Sequence, residues 1–303
     1  MKILYTADIH ADPGHLQAAL SVAFTSGVDA IVIGGDIIPH HLPRWASLGP
    51  LGAQREYLVR VMIPALSVFR EKRPVPVYLD LGNDDWLSGR DLMTRHDGTL
   101  FHLIHMRRHR LDPSAGIDLI GYMCVPPTPF GRKDWEKPDT RNRPHPPENR
   151  VRLDGYRSGG GRLEAHTLDL AAGDTIALDM DRLSAEVRGP FILVSHSPPY
   201  GTPLDVIQSG LQVGSLSIRR FIERWAAKGQ LLASLHGHIH ESPRRSGRVH
   251  THIGGALCIN PGQENGPGAR LRYVLLEIAA GPSGGPVVRI LREPGEEAPR
   301  SSP

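Results

Sequence analysis

The chain has 303 residues, of which 40% are hydrophobic, 6% aromatic and 22% charged, and its formal net charge is +3. That length can bury a large core without staples, and so small a positive excess makes no electrostatic case for wholesale nucleic-acid or membrane binding. Two cysteines, Cys124 and Cys258, outside any Cys-x-x-Cys pattern, argue against a disulfide framework and fit a reducing compartment.

Residues 2–8 read as a strand with no leader ahead of it. No apolar run approaches the ~20 residues of a membrane span, so the expected location is cytoplasmic. Residues 14–26 read as a helix: Leu16, Ala19, Leu20, Ala23 and Phe24 share a face at helical spacing, and Gly27 closes it. A second buried strand at 29–35 makes a right-handed βαβ start. A second helical pattern covers 54–70 through Tyr57, Leu58, Val61 and Met62, with Pro64 as its kink. Strands follow at 75–82 and 117–124.

The composition then changes. Over 125–163 proline, glycine, arginine and asparagine displace periodicity, which reads as an insertion. Its aromatics (Phe130, Trp135, Tyr156) and arginines suit a substrate-facing lid, against the plainer reading of a solvated loop. Strands resume at 191–196, 231–236, 256–260, 272–278 and 287–292, the later ones antiparallel, with an amphipathic helix from Ser217 to Gly229. Residues 1–280 thus form one α/β domain carrying the insertion, and 281–303 a terminal strand and disordered tail. Early alternation of strand and helix, then strands, suits a layered α/β sandwich.

Metal-type residues stand just after the apolar runs. Asp8 and His10 follow the first, Asp36 the second, Asn83 the third, His196 the run FILVS, and His238 and His240 the run LLASLHG. Ligands collect at the carboxyl ends of strands in open α/β sheets. Carboxylates and imidazoles suit Mn, Fe or Zn. A bridge between two ions needs a carboxylate, for which Asp8 and Asp36 compete. Asp8 and His10, like His238 and His240, lie two apart and share a strand face. His250 and His252 have the same spacing without a motif and read as bystanders.

The series Asp8-x-His10, Gly35-Asp36, Gly82-Asn83, His196 and Gly237-His238-x-His240 closely resembles the calcineurin-like metallophosphoesterases. The resemblance implies a four-layer α/β/β/α sandwich, two mixed sheets flanked by helices. It implies two divalent metal ions, one on Asp8, His10, Asp36 and His240, the other on Asn83, His196, His238 and the bridging Asp36. It also implies a metal-bridging hydroxide as nucleophile, deprotonated near neutral pH. Segments SHSPPYGTPLD and GLQVGS resemble the branch with brain phosphodiesterase-like proteins, and Asn260-Pro261-Gly262 resembles a site-closing loop.

One position departs from the family. A histidine that assists the leaving group usually follows the asparagine; here Asp84 and Asp85 follow Asn83. Asp84 should repel phosphate unless it is protonated or turned away, while Asp85 keeps the family's acidic ending. A phosphodiester, with one charge fewer, suffers less, and His40 or His41 are candidate replacement acids. The expected function is therefore a phosphodiesterase for a small phosphoester, with Asp36, Asn83, Asp84 and Asp85 in the catalytic group. A phosphomonoesterase using arginines of 141–152 is the alternative. A nuclease or a metal-binding scaffold ranks lower, since aromatics are few and every ligand is present. No exposed stripe demonstrates a homodimer.

Overall fold

The computed structural model describes residues 1–141, 151–264, 266, 268–282 and 284–295. Thus part of the 125–163 insertion, at 142–150, and the tail from 296 lie outside the described residues. The first half runs β1 (Lys2–Thr6), α1 (His15–Ser26), β2 (Ala30–Ile33), α2 (Gly49–Tyr57), α3 (Ile63–Lys72), β3 (Val77–Leu79), α4 (Arg90–Thr94), β4 (His102–Leu103), β5 (Arg107–Asp112) and β6 (Ile117–Tyr122). The second half runs β7 (Asp154–Gly159), β8 (Arg162–Thr167), α5 (Ile176–Ser184), β9 (Phe191–Ser195), α6 (Leu216–Ala227), β10 (Leu231–Leu235), α7 (Ser242–Ser246), β11 (His250–Ile253), β12 (Ala256–Ile259), β13 (Val274–Ala280) and β14 (Pro286–Arg292).

Two six-stranded mixed sheets result, ordered β14-β13-β1-β2-β3-β4 and β11-β12-β10-β9-β6-β5. In the first, β1, β2, β3 and β4 run parallel, β13 pairs antiparallel with β1, and β14 pairs antiparallel with β13. In the second, β6, β9, β10 and β12 are parallel, with antiparallel strands at both edges. Strands β2 and β9 are buried at every residue, as parallel strands covered on both faces must be. The two sheets and their flanking helices share one continuous apolar core. This is the expected α/β/β/α sandwich.

Three local readings differ from expectation. Leu16, Ala19, Leu20 and Ala23 of α1 are buried, but Phe24 is 52% exposed, at the margin of the apolar face. The Pro64 break is a π-turn at Leu58–Met62 joining α2 to α3. Proline lacks the N–H that Arg60 C=O would accept, and a widened turn absorbs the loss. Within the insertion, β7 and β8 form an antiparallel hairpin through Gly160 and Gly161, both at positive φ. Most residues on both of its strands are exposed or half-buried, so no apolar alternation marks it in the sequence.

Candidate metal centre

The turns after β1, β2, β3, β9 and β10 bring Asp8, His10, Asp36, Asn83, His196, His238 and His240 into one cluster. Among the described residues only four non-glycines have positive φ, and three are Asp8 (56°), Asp36 (52°) and His238 (67°). Such left-handed backbone is costly without glycine and persists where surroundings over-determine it. Two glycines admit the close approach. A Cβ on Gly82 would lie 2.2 Å from Asp36 Oδ1, and one on Gly237 would lie 2.5 Å from Ala7 Cβ and 2.8 Å from Asp8 Oδ2. Gly237 therefore supplies space, while the tight turn falls on His238.

Asp36 lies between two imidazoles: its Oδ2 is 3.1 Å from His196 Nε2 and 3.5 Å from His10 Nδ1. Asn83 Oδ1 is 3.0 Å from His196 Nε2. His10 Nε2 and His240 Nε2 are 3.1 Å apart. Asp8 Oδ1 lies 3.7 Å from His240 Nε2 and 3.9 Å from His196 Nε2, and it accepts from His238 N–H at 2.9 Å. One ligand atom each from Asp36, His196 and His238 falls within 4.8 Å of the others. His196 Nδ1 meets Gly34 C=O at 2.7 Å, which fixes the tautomer and turns Nε2 toward Asp36.

The electrostatics are those of a cation site. Burial alone would raise Asp36, but His196 and His10 override it and hold the carboxyl far below its usual range. Burial pushes His10 and His238 down to about 3, which keeps them neutral, the form a metal would require of them. Burial also opposes the charged form of His196, yet Asp36 wins and raises it to about 9. Asp8 is raised, chiefly by burial. Asp8 Oδ2 and His10 Nδ1 are buried without any hydrogen-bond partner. Orphaned atoms of this kind call for an ion, so the residues present fit divalent metals.

Asp85 and Asp84 play different parts. Asp85 is fully buried and accepts from Ile37, Ile38 and Gly82 N–H groups at 2.9–3.0 Å, tying the two turns together. Burial, with Asp36 nearby, pushes it up to about 7. Asp84 N–H donates to Asp36 Oδ1 at 2.8 Å, while its carboxylate meets His40 Nε2 at 3.0 Å and Arg132 Nη1 at 2.9 Å. Burial would raise Asp84, but the His40 hydrogen bond leaves it below the ordinary value. Asp84 is thus ionised and compensated rather than protonated. The same hydrogen bond raises His40, whose ring stacks on His10 with centroids 4.1 Å apart.

Of the two candidate acids the structure brings His40 to the cluster; His41 lines the pocket beside it. Arg132 carried no signal in the sequence: it is 48 residues from Asp84, in the aperiodic insertion. Asn260 braces the histidine turn, its Nδ2 donating to Leu204, Gly237 and Ile239 C=O at 3.0–3.3 Å. His250 and His252 lie apart on edge strand β11, where His250 pairs with Glu293.

Buried carboxylates and imidazoles at the strand ends of two stacked sheets are the equipment of a metal-dependent hydrolase. The chain matches the family model described as calcineurin-like phosphoesterase over residues 1–242. It belongs to that family of phosphoric ester hydrolases, which use divalent metal ions. A 71-residue stretch, 23% of this chain, is 41% identical to an uncharacterized protein of Methanocaldococcus jannaschii, spanning 29% of that relative's length. Among solved structures, TT1561 of Thermus thermophilus is similar at TM-score 0.50 and 16% identity, covering 96% of this chain and 99% of that one. A dimetal phosphatase from Danio rerio matches at 0.50 and 13%, covering 91% and 92%. GAP50, the anchor in the inner membrane complex of Plasmodium, matches at 0.51 and 12%, covering 96% and 84%. At these identities the structures share the fold. No helix among the described residues is long and apolar enough to cross a membrane.

Proposed function

We propose that this chain is a dinuclear metal-dependent phosphodiesterase acting on a small substrate. Asp8, His10, Asp36 and His240 would hold one ion, and Asp36, Asn83, His196 and His238 the other. Bound divalent ions of the Mn, Fe or Zn type supply Lewis acidity and a lowered pKa for water. The remaining work belongs to the chain. Asp36 stays anionic between its imidazoles, and Asp85 holds the turns that carry Asp36 and Asn83. His40 Nε2, oriented by Asp84, is placed to deliver a proton to a departing oxygen.

The observation that carries the diester reading is Asp84. Its carboxylate is ionised and near that of Asp36, which accepts from Asp84 N–H, and it already engages Arg132 and His40, so neither cation is left free for a phosphate. A dianionic monoester meets more repulsion there than a monoanionic diester. Two of the structural likenesses frame the alternatives: the Danio rerio protein is named a phosphatase and GAP50 an anchor.

The test is hydrolysis of bis-p-nitrophenyl phosphate against p-nitrophenyl phosphate by protein stripped of metal and reloaded with Mn. Asp36→Asn is run beside it and should lose about 10²-fold or more in turnover, at least the cost of one lost oxyanion donor. Diester cleavage that needs both metal and Asp36 supports the reading. Dominant monoester cleavage keeps the centre and rejects the diesterase, and full activity in Asp36→Asn rejects the centre itself.

A further inference from the structure

Two concavities flank the cluster and share none of their lining among the described residues. One includes His40 and Asp84, the other His240. His10 joins them, stacking on His40 at 4.1 Å and standing 3.1 Å from His240 through its Nε2. A phosphoryl group held at the cluster would lie between the two, with the buried His10 as their common wall.

The two are unlike in size and chemistry. The first is a pocket of about 230 Å³ with apolar walls that include Ile38, Leu42, Pro43, Ala53 and Trp86. Trp86 is fixed by its backbone, which exchanges hydrogen bonds of 2.6 and 2.8 Å with the buried Gln54 side chain. The Arg132 guanidinium stands 5.3 Å over the indole ring, and its charge faces Asp84. A flat guanidinium on an indole offers a surface on which a planar group stacks. The second is a cleft of about 900 Å³ lined by polar and charged side chains. Glu241, Glu264 and Glu293 face it against Arg244 and Arg272. Among the described residues three carboxylates of the lining stand against two guanidiniums, Glu264 being paired with Arg272 and Glu293 with His250, which suits a hydroxyl- or amine-bearing group better than a second phosphate.

We infer that the substrate is an unsymmetrical phosphodiester with a single phosphate. Its small planar or apolar arm sits between the 38–54 segment and Trp86, and its larger polar, neutral or cationic arm sits in the cleft beyond His240. This rests on the phosphodiesterase reading above. It narrows that reading to a substrate class and argues against polyanionic chains, whose next phosphate would meet the glutamates.

The test uses two diesters that share the p-nitrophenyl arm, methyl p-nitrophenyl phosphate and p-nitrophenyl phosphocholine, on Mn-loaded protein. Ala46 and Gln208 are exposed residues, one on each rim, so tryptophan at either fills space without disturbing the core. Wild type should favour the choline diester about tenfold in kcat/KM, the order of discrimination one well-filled contact provides. Ala46→Trp should lower kcat/KM about tenfold for both diesters and keep that preference, whereas Gln208→Trp should erase the preference. Calorimetric titration of the choline diester into metal-free protein reads the pockets without turnover, and Ala46→Trp should weaken binding there about tenfold.

The inference is overturned if Ala46→Trp leaves both diesters at wild-type rates, or if both variants change the preference alike. Wild type that cleaves p-nitrophenyl phosphate and neither diester would instead overturn the phosphodiesterase reading on which the inference stands.

Discussion

The floor of the centre and the canopy beside it are anchored differently. The floor consists of strand-end turns: Asp8, Asp36 and His238 sit in left-handed backbone, and glycines let the carboxylates crowd together. It is braced by the Asp85 and Asn260 side chains on backbone groups of the turns, and it keeps orphaned atoms facing inward. The canopy is the segment after β6, which delivers Arg132. It is held by backbone pairing to β7, with Lys133 N–H donating to Tyr156 C=O at 2.9 Å and Tyr156 N–H to Gly131 C=O at 2.8 Å, and by a fully buried ion pair, Lys133 Nζ 2.8 Å from the Glu136 carboxylate. Glu136 also accepts from Thr128 N–H at 3.0 Å. The contrast implies that canopy and floor can be damaged separately, with stability the reporter for one and turnover for the other.

The largest expected effect is on the canopy. Lys133→Met leaves Glu136 buried beside no cation, and removing one partner of a buried pair costs about 3–5 kcal/mol. Burial already pushes Glu136 up to about 7 despite the lysine. Near pH 5 the carboxyl is neutral, and the penalty should shrink. Urea unfolding at pH 8 and pH 5 checks this, with metal stoichiometry unchanged at pH 8. Equal penalties at both pH values would show that the pair is not the anchor.

Next comes the floor. Gly82→Ala puts a Cβ 2.2 Å from Asp36 Oδ1 and 2.5 Å from its backbone nitrogen, so Asp36 must move. A displacement near 1 Å at a reacting centre costs about 10²-fold in rate. Metal-loaded diesterase activity should fall by that order while circular dichroism stays native. Activity near wild type would mean that the turn gives way elsewhere.

A smaller effect should appear in the metal-free protein on acidification. His105 lies outside the cluster, accepts from Met123 N–H through Nδ1, and is pushed by burial to about 4. Its folded pKa lies below the unfolded 6.5, so the folded state binds fewer protons. The stability it contributes is present above pH 6.5 and lost as pH falls toward 4. By pH 5 the loss is about 2 kcal/mol. His236, also held near 4 by burial, adds in the same direction. His196, raised to about 9, acts oppositely: its contribution is complete below 6.5 and lost as pH rises through 9. Asp85 and Glu136, raised to about 7, gain stability over the same range, so the readout is a difference: between pH 7 and pH 5 the unfolding free energy of wild type should fall by about 2 kcal/mol relative to that of His105→Gln.

The floor was legible in the sequence and the canopy was not, for a physical reason. Each residue proposed as a ligand follows a strand that is almost wholly buried, and such strands print as continuous apolar runs whose ends are visible. Even the layered fold could be read from those runs. Hairpin β7-β8 is mostly exposed or half-buried on both of its strands, so its only imprint is the glycine pair Gly160-Gly161. Arg132 reaches Asp84 across 48 residues through tertiary packing alone. Asp84 shows the same limit from the other side. Its departure from the family was plain, but its state depends on His40 and Arg132, which no local pattern assigns to it.

His40 gives the finest test of floor against canopy, because it touches both: its ring lies on His10 and its Nε2 meets Asp84. If His40 protonates the departing oxygen, its value depends on the leaving group. p-Nitrophenolate leaves readily without a proton, whereas an alkoxide does not. His40→Gln should then cost a few-fold on p-nitrophenyl diesters and about 10²-fold on a diester with an alkyl leaving group. A metal-positioning role, acting through His10, would lower both by the same factor and would weaken metal affinity as well. A selective loss with metal affinity intact would assign the missing family histidine's work to a residue from a different turn. A uniform loss would return His40 to the floor.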